Sequence, residues 1–199
     1  MGAVTTKKSI KPISQERLNC LFSYDPTEGV LRWRKRELSD FASEGAHRAW
    51  NTKYAGKATG SKGRLANGDK STTMVGIDGV LYKTHRLIWI MVHGSIPDGN
   101  VIDHINRDPF DNRLSNLRAC TKLQNSCNRG TRRDNKSGYK GVCWHRGTRK
   151  WCSYITVNKR QISLGYFNTK WGAYAEYRNH LHLHGEFGLL STRPRSHDV

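Results

Sequence analysis

Acidic residues are scarce in this chain: its 199 residues hold 16 Asp and Glu against 34 Lys and Arg, a formal net charge of +18. Such a deficit works against a cationic partner and favours a polyanion, because Lys and Arg release the counterions condensed on phosphates. Long apolar runs are lacking as well. The longest, Leu87 to Val92, falls far short of the roughly 20 residues a membrane helix needs. No apolar core interrupts the polar, basic stretch Met1 to Pro12, so a secretory signal is not expected and a cytoplasmic setting is. The five cysteines, Cys20, Cys120, Cys127, Cys143 and Cys152, form no C-x-x-C pair, which leaves a zinc ribbon without support. Their odd number fits reduced thiols. Cys143 and Cys152 fall on predicted strands, where small buried side chains are expected.

What is there reads as an α+β chain. A flexible basic tail is expected over 1–13. Ser14 to Leu18 opens a short helix, with Leu18, Leu21 and Phe22 on one face. Asp25-Pro26-Thr27-Glu28-Gly29 is a turn, and Val30 to Trp33 a strand leaving it. Residues 35–70, rich in Gly, Lys, Ala and Ser, read as loop. Met74–Ile77 and Val80–Tyr82 flank Asp78-Gly79, a hairpin signal. Thr84 is placed to cap a helix from His85 to about Val92, ended by Gly94. Pro97-Asp98-Gly99 leads into a strand, Leu117 to Cys120 reads as its return, and Thr121 with Gln124 forms a capping box for a following helix.

Within that strand, loop, strand, helix unit lie Asp103-His104, then Asn116-Leu117-Arg118, then Gln124-Asn125. A carboxylate and an amide oxygen suit a hard divalent cation, and an imidazole beside it can activate water. Adjacent strand residues face opposite ways, so Asp103 and His104 need not serve one atom. Asn116 is of a type that accepts from an imidazole N–H and fixes its tautomer. Asn106, Asn112 and Asn128 read as turn formers. His93, His180, His182 and His184 show no ligand spacing.

These residues resemble the motif of the HNH endonucleases, in particular the phage and intron-encoded homing type. Tyr24-Asp25-Pro26, Gly29-Val30-Leu31 and His85-Arg86-Leu87 extend the likeness upstream. The resemblance implies a ββα-metal core at about 99–130 within a nuclease domain of 14–130. It implies His104 as general base, Asn116 as its orienting partner, and Asp103 with Asn125 as ligands of one divalent metal, Mg²⁺ or Mn²⁺. Asn125 stands where the motif often has His; an amide oxygen favours those metals over Zn²⁺. Arg86, Arg113 and Arg118 are candidates for phosphate contact.

After a basic linker at 131–137, carrying Arg132 and Arg133, the pattern changes. Tyr139–Trp144, Trp151–Val157 and Gln161–Phe167 read as three antiparallel strands. A helix capped by Asn168 or Thr169 follows, with Tyr174, Tyr177 and Leu181 on one face. Tyr139-Lys140-Gly141-Val142, Lys150-Trp151, Leu164-Gly165-Tyr166-Phe167, Ala173-Tyr174-Ala175 and His184-Gly185-Glu186-Phe187 resemble the Apetala-two (ethylene-response-factor) DNA-binding domain over 138–190. That resemblance places Lys140, His145, Lys150, Thr156, Gln161 and Ser163 where the family presents its DNA-contacting side chains, with Arg146 and Arg149 in the adjoining basic turn. Trp151 and Phe167 are expected in the core. Residues 191–199 are expected to be a disordered tail.

The expected protein is thus a site-selecting endonuclease for double-stranded DNA, with no membrane role and no obligatory protein partner. The competing readings are a DNA-binding regulator with an inactive nuclease half, and an RNA-binding module using exposed aromatics.

Overall fold

The computed structural model describes residues 12–64, 70–131 and 134–185. They form a mixed α/β chain of small antiparallel sheets that divides into two compact units. The first takes the residues up to His104 and 108–119; the second takes 105–107 and everything from Cys120.

In the first unit, Ser14 accepts from Arg17 N (3.2 Å) and caps α1 (Gln15–Leu21). The strands β1 (Phe22–Asp25) and β2 (Val30–Trp33) form a hairpin in register from Phe22↔Trp33 to Asp25↔Val30. Asp25 Oδ1 accepts from the amides of Thr27 and Glu28, closing the turn. The stretch 35–70, read as loop, contains a helix instead: α2 (Glu44–Tyr54), capped by Ser43. It buries no residue fully, so no apolar stripe marks it in the sequence; Trp50, edge-on to Trp33 at 5.3 Å, anchors it.

The strands β3 (Ser61–Arg64), β4 (Lys70–Ile77) and β5 (Val80–Lys83) make one sheet in that order. The expected hairpin is present, with Ile77↔Val80 beside the turn and positive φ at Asp78 and Gly79. The helix α3 (Thr84–His93) starts a residue earlier than expected. Thr84 does not cap it: its hydroxyl is buried without a hydrogen-bond partner among the described residues, and Lys83 precedes the helix with no side-chain cap. Leu87 and Ile88 of α3 join Leu18, Leu21, Phe22, Leu31, Val75, Ile77, Ile102 and Leu117 in one core. The strands β6 (Asn100–His104) and β7 (Leu117–Thr121) pair, and α4 (Lys122–Cys127) follows with the complete capping box of Thr121 and Gln124.

The second unit holds the sheet β8 (Val142–His145), β9 (Lys150–Val157) and β10 (Arg160–Phe167), with β9 in the centre. Thr169 caps α5 (Lys170–Asn179), whose Tyr177 packs with Ile155 and Leu181 as the core. Gly141 is required there: a Cβ on it would come within 2.1 Å of the Tyr177 ring and 2.6 Å of Tyr154 O, at a φ of +73°. The helix stops before Gly185; a 3₁₀ turn, Leu181–His184, intervenes. Trp151 and Phe167 are half-buried rather than enclosed.

The expected linker begins later than this division does. Residues 120–131 go with the second unit because Lys140 Nζ donates to the carbonyls of Cys127 and Arg129, and Cys127 Sγ lies 3.5 Å from His184 Nδ1. Ser137 closes the segment as a buried turn, its hydroxyl bonding to Val142 O at 2.7 Å. Arg132, Arg133, the tails 1–11 and 186–199, and the Glu186-Phe187 match lie outside the described residues.

Candidate active site

Asp103 and His104 end β6, and both are enclosed, at 9% and 8% exposure. Their opposite directions give them different partners. Arg118 of β7 reaches Asp103 Oδ2 with Nε and Nη2, at 3.2 and 3.1 Å. His104 Nε2 lies 3.1 Å from Asn112 Oδ1.

Asn112, expected as a turn former, is instead a buried partner of the imidazole. It is 3% exposed, and its Nδ2 donates to Thr73 Oγ1 at 3.1 Å and Phe110 O at 3.4 Å. A carbonyl only accepts, so the group facing Phe110 O must be the NH₂ and the group facing the imidazole the oxygen. A neutral His104 therefore carries its proton on Nε2 and its lone pair on Nδ1.

The loop carrying Asn112 is held from the N-terminal hairpin. Tyr24 Oη donates to Asn112 O (3.1 Å) and accepts from Leu114 N (2.8 Å). Gly29 lies against the same segment, where a Cβ would come within 2.4 Å of Arg113 N and 2.7 Å of Asn112 C. Asn116, assigned the orienting role from sequence, is buried in a short 3₁₀ turn and donates Nδ2 to Asp111 O at 2.8 Å. The position on Nε2 belongs to Asn112. Nothing local in the sequence separates Asn112 from an ordinary loop asparagine; the Tyr24 and Gly29 contacts that fix it come from more than eighty residues upstream.

A second imidazole stands by. His85 of α3 meets the His104 ring edge-on at 4.9 Å, and its Nδ1 lies 3.3 Å from Thr72 Oγ1. Burial, and then the neighbouring His104, Lys83 and Arg86, push His85 down to about 3. It is a neutral wall of the site at pH 7.

The arginines divide by their engagements. Arg113 grips Asp111 with Nε and Nη2 at 2.8 and 2.6 Å, and Arg118 is committed to Asp103. Arg86 is exposed on α3. Asn125 lies on α4 in the second unit, half-buried, and its side-chain amide makes no hydrogen bond among the described residues. Those residues hold no group of three or more His, Cys, Asp and Glu that could hold a metal ion. By residue type, the Asp103 carboxylate and the Asn125 amide are oxygen donors of the kind a hard cation such as Mg²⁺ takes.

In the second unit the cross-strand pairs His145↔Lys150, Gln161↔Thr156 and Ser163↔Tyr154 set His145, Lys150, Thr156, Gln161 and Ser163 on one face, all exposed. Val142, Ser153 and Ile155 alternate to the other face, where they are buried. Arg146 and Arg149 are exposed in the β8–β9 turn. Lys140 departs from expectation: it is turned to the Cys127 and Arg129 carbonyls, and burial lowers its pKa. Cys143 and Cys152 pair across the exposed face with their sulfurs 2.7 Å apart, rather than in the core. Among the described residues no helix is long and apolar enough to cross a membrane.

Comparison with known proteins bears on this arrangement. Residues 82–127 match the family described as HNH endonuclease. The chain is 32% identical to "Protein 3.8" of Escherichia phage T7 over 105 residues, 53% of this chain and 87% of that protein. It is 39% identical over 59 residues to "Uncharacterized HNH endonuclease L560" of Acanthamoeba polyphaga mimivirus, 29% of this chain and 31% of that one. No solved structure matches. With Asp103, His104, Asn112 and Asn116 inside the matched span, the chain carries an HNH endonuclease domain at 82–127 and belongs to one family with phage T7 Protein 3.8.

Proposed function

We propose that this protein is a metal-assisted, site-selecting endonuclease of double-stranded DNA, of the homing type. The observation that carries the chemistry is the bond from His104 Nε2 to Asn112 Oδ1. In a neutral ring it puts the proton on Nε2 and makes Nδ1 the basic nitrogen, the atom proposed to take a proton from the water that attacks phosphorus. Asn112 keeps the ring oriented and supports the imidazolium that forms, as an acceptor fixed by its own two donor bonds. Asn116 shapes the same loop through Asp111. Asp103 and Asn125 are the proposed ligands of one divalent ion, Mg²⁺ or Mn²⁺, on the chemistry of their oxygens. When bound, it would stabilise charge on the phosphate and on the leaving oxygen.

Site choice is assigned to the exposed sheet face of His145, Lys150, Thr156, Gln161 and Ser163, with Arg146 and Arg149 beside it. A three-stranded sheet covered on one side by a helix presents such a face to a groove in the manner of the Apetala-two domain. Arg86 supplies a phosphate contact from α3.

Nicking of supercoiled plasmid with Mg²⁺ tests the reading. Wild type is expected to nick and to stop in EDTA, and His104→Ala is expected to lose about 10²–10⁴ in rate. Cleavage by His104→Ala at the wild-type rate would sink the assignment. The Arg118 pairing of Asp103 gives the regulator reading its one support; a wild type that binds DNA and never nicks with any divalent ion would favour it.

A further inference from the structure

The segment after β2 has no part in this chemistry, yet it builds a cavity of about 380 Å³ in the first unit. Trp33, Trp50 and Tyr54 supply its aromatic wall. Trp33 and Trp50 meet at 85°, and Trp50 and Tyr54 lie 5.2 Å apart at 45°. Leu21 and Ile77, both buried, add apolar lining. Arg36 and Asp78 are its charged lining residues.

Arg36 is unusually well fixed. Its guanidinium sits 5.3 Å from the Trp50 ring centre and 5.1 Å from that of Phe41, its Nε donates to Asp40 at 3.1 Å, and its side chain is only 16% exposed. Its two Nη groups make no hydrogen bond among the described residues. The Asp78 carboxylate, 68% exposed, is held loosely by Arg17 at 3.6 Å. Donors and an acceptor thus border an aromatic wall.

Close packing normally closes a gap where this many rings gather. A space of this volume lies at the small end of ligand pockets; it takes one planar heterocycle and no helix or strand. The flanking chain states the charge of the ligand. Residues 30–60 hold seven Lys and Arg against three Asp and Glu, which suits a phosphodiester and repels a cation. A ring-shaped group joined to phosphate is a nucleotide. A base inside a duplex is covered on both faces by its neighbours, so only an unpaired one can reach an aromatic wall.

We infer that this cavity binds a nucleobase of an unpaired DNA strand, stacked against Trp50 and Tyr54, with Arg36 and Asp78 offering donors and an acceptor to its edge. The inference goes beyond cleavage; it borrows from the nuclease reading only that the partner is DNA.

The test is a titration of the full chain in EDTA against a fluorescent oligothymidylate, with a duplex of equal length as comparison. Wild type is expected to bind the single strand, and Tyr54→Ala and Trp50→Ala to weaken that binding by about tenfold each while duplex affinity stays unchanged. Trp50→Phe should restore most of the loss. Tyr54 lies half-open in the last turn of α2, so its variant reports even where Trp50→Ala fails to fold, as a thermal melt would reveal. Single-strand affinity equal in wild type and Tyr54→Ala would overturn the proposal, as would parallel losses for both forms of DNA. Competition by free thymidine monophosphate as strong as by the oligonucleotide would overturn the assignment to a strand. Because the titration reads fluorescence without metal, its outcome does not depend on whether the chain cuts DNA.

Discussion

At the scale of single residues, the site turns on which asparagine faces His104. Asn112→Ala removes the acceptor on Nε2 and frees the ring to rotate or exchange tautomers. Its nicking rate is expected to fall about 10–100-fold, with DNA affinity near wild type; a rate within twofold of wild type would contradict the role. His85 sets an acid limit. Its ordinary value is 6.5, and burial takes it to about 3 in the folded chain. Below 6.5 the unfolded chain takes up a proton that the folded chain refuses. The contribution of neutral His85 is therefore complete above 6.5 and is lost as pH falls toward 3, at a slope approaching ~1.4 kcal/mol per pH unit. Thermal melts across that window should drop more steeply for wild type than for His85→Gln; parallel curves would remove His85 as the cause. Asp103, His104 and Asn116 were legible as a motif because residue type and spacing carry it. Asn112 was not, because its place beside His104 comes from burial and from two donor bonds that no spacing encodes.

The elements show the same division. The Asp78-Gly79 hairpin and the Thr121–Gln124 capping box are local chemistry, and both formed where the residues pointed. The helix α2 was missed because one tryptophan anchors it in place of a stripe; the available signals were the Ser43 cap and the Glu44–Arg48 pair at 2.8 Å. Thr84 misled for the opposite reason: a good capping residue was drawn into the interior. The β1–β2 hairpin does more than its length suggests, since it bears both Tyr24 and Gly29. Tyr24→Phe leaves the ring and removes both bonds to the 112–114 loop. A loss of about 1–2 kcal/mol in unfolding free energy is expected, together with slower nicking. Unchanged stability and rate would mean that the loop holds itself.

For the whole molecule, net charge is the governing feature. A net charge of +18 predicts that DNA affinity falls steeply with salt, linear in log–log form with a slope set by the phosphates neutralised. A joint His145→Ala, Lys150→Ala, Gln161→Ala variant should lose about tenfold or more in affinity for the preferred site and keep its nicking rate at saturating DNA. Equal loss on every sequence would assign those residues to the backbone alone. The antiparallel sheet with its helix was readable from alternation and turn residues, whereas the turning inward of Lys140 was not, because its carbonyl partners at Cys127 and Arg129 are nonlocal. The seam between Gly29 and the Asn112–Arg113 backbone bears on engineering. The 82–127 segment looks portable, a cassette to be grafted onto any DNA-binding scaffold. It leaves behind the tyrosine and the glycine that keep its asparagine aimed. A graft built from 82–127 alone inherits the motif without its aim, and one that starts at Ser14 inherits both.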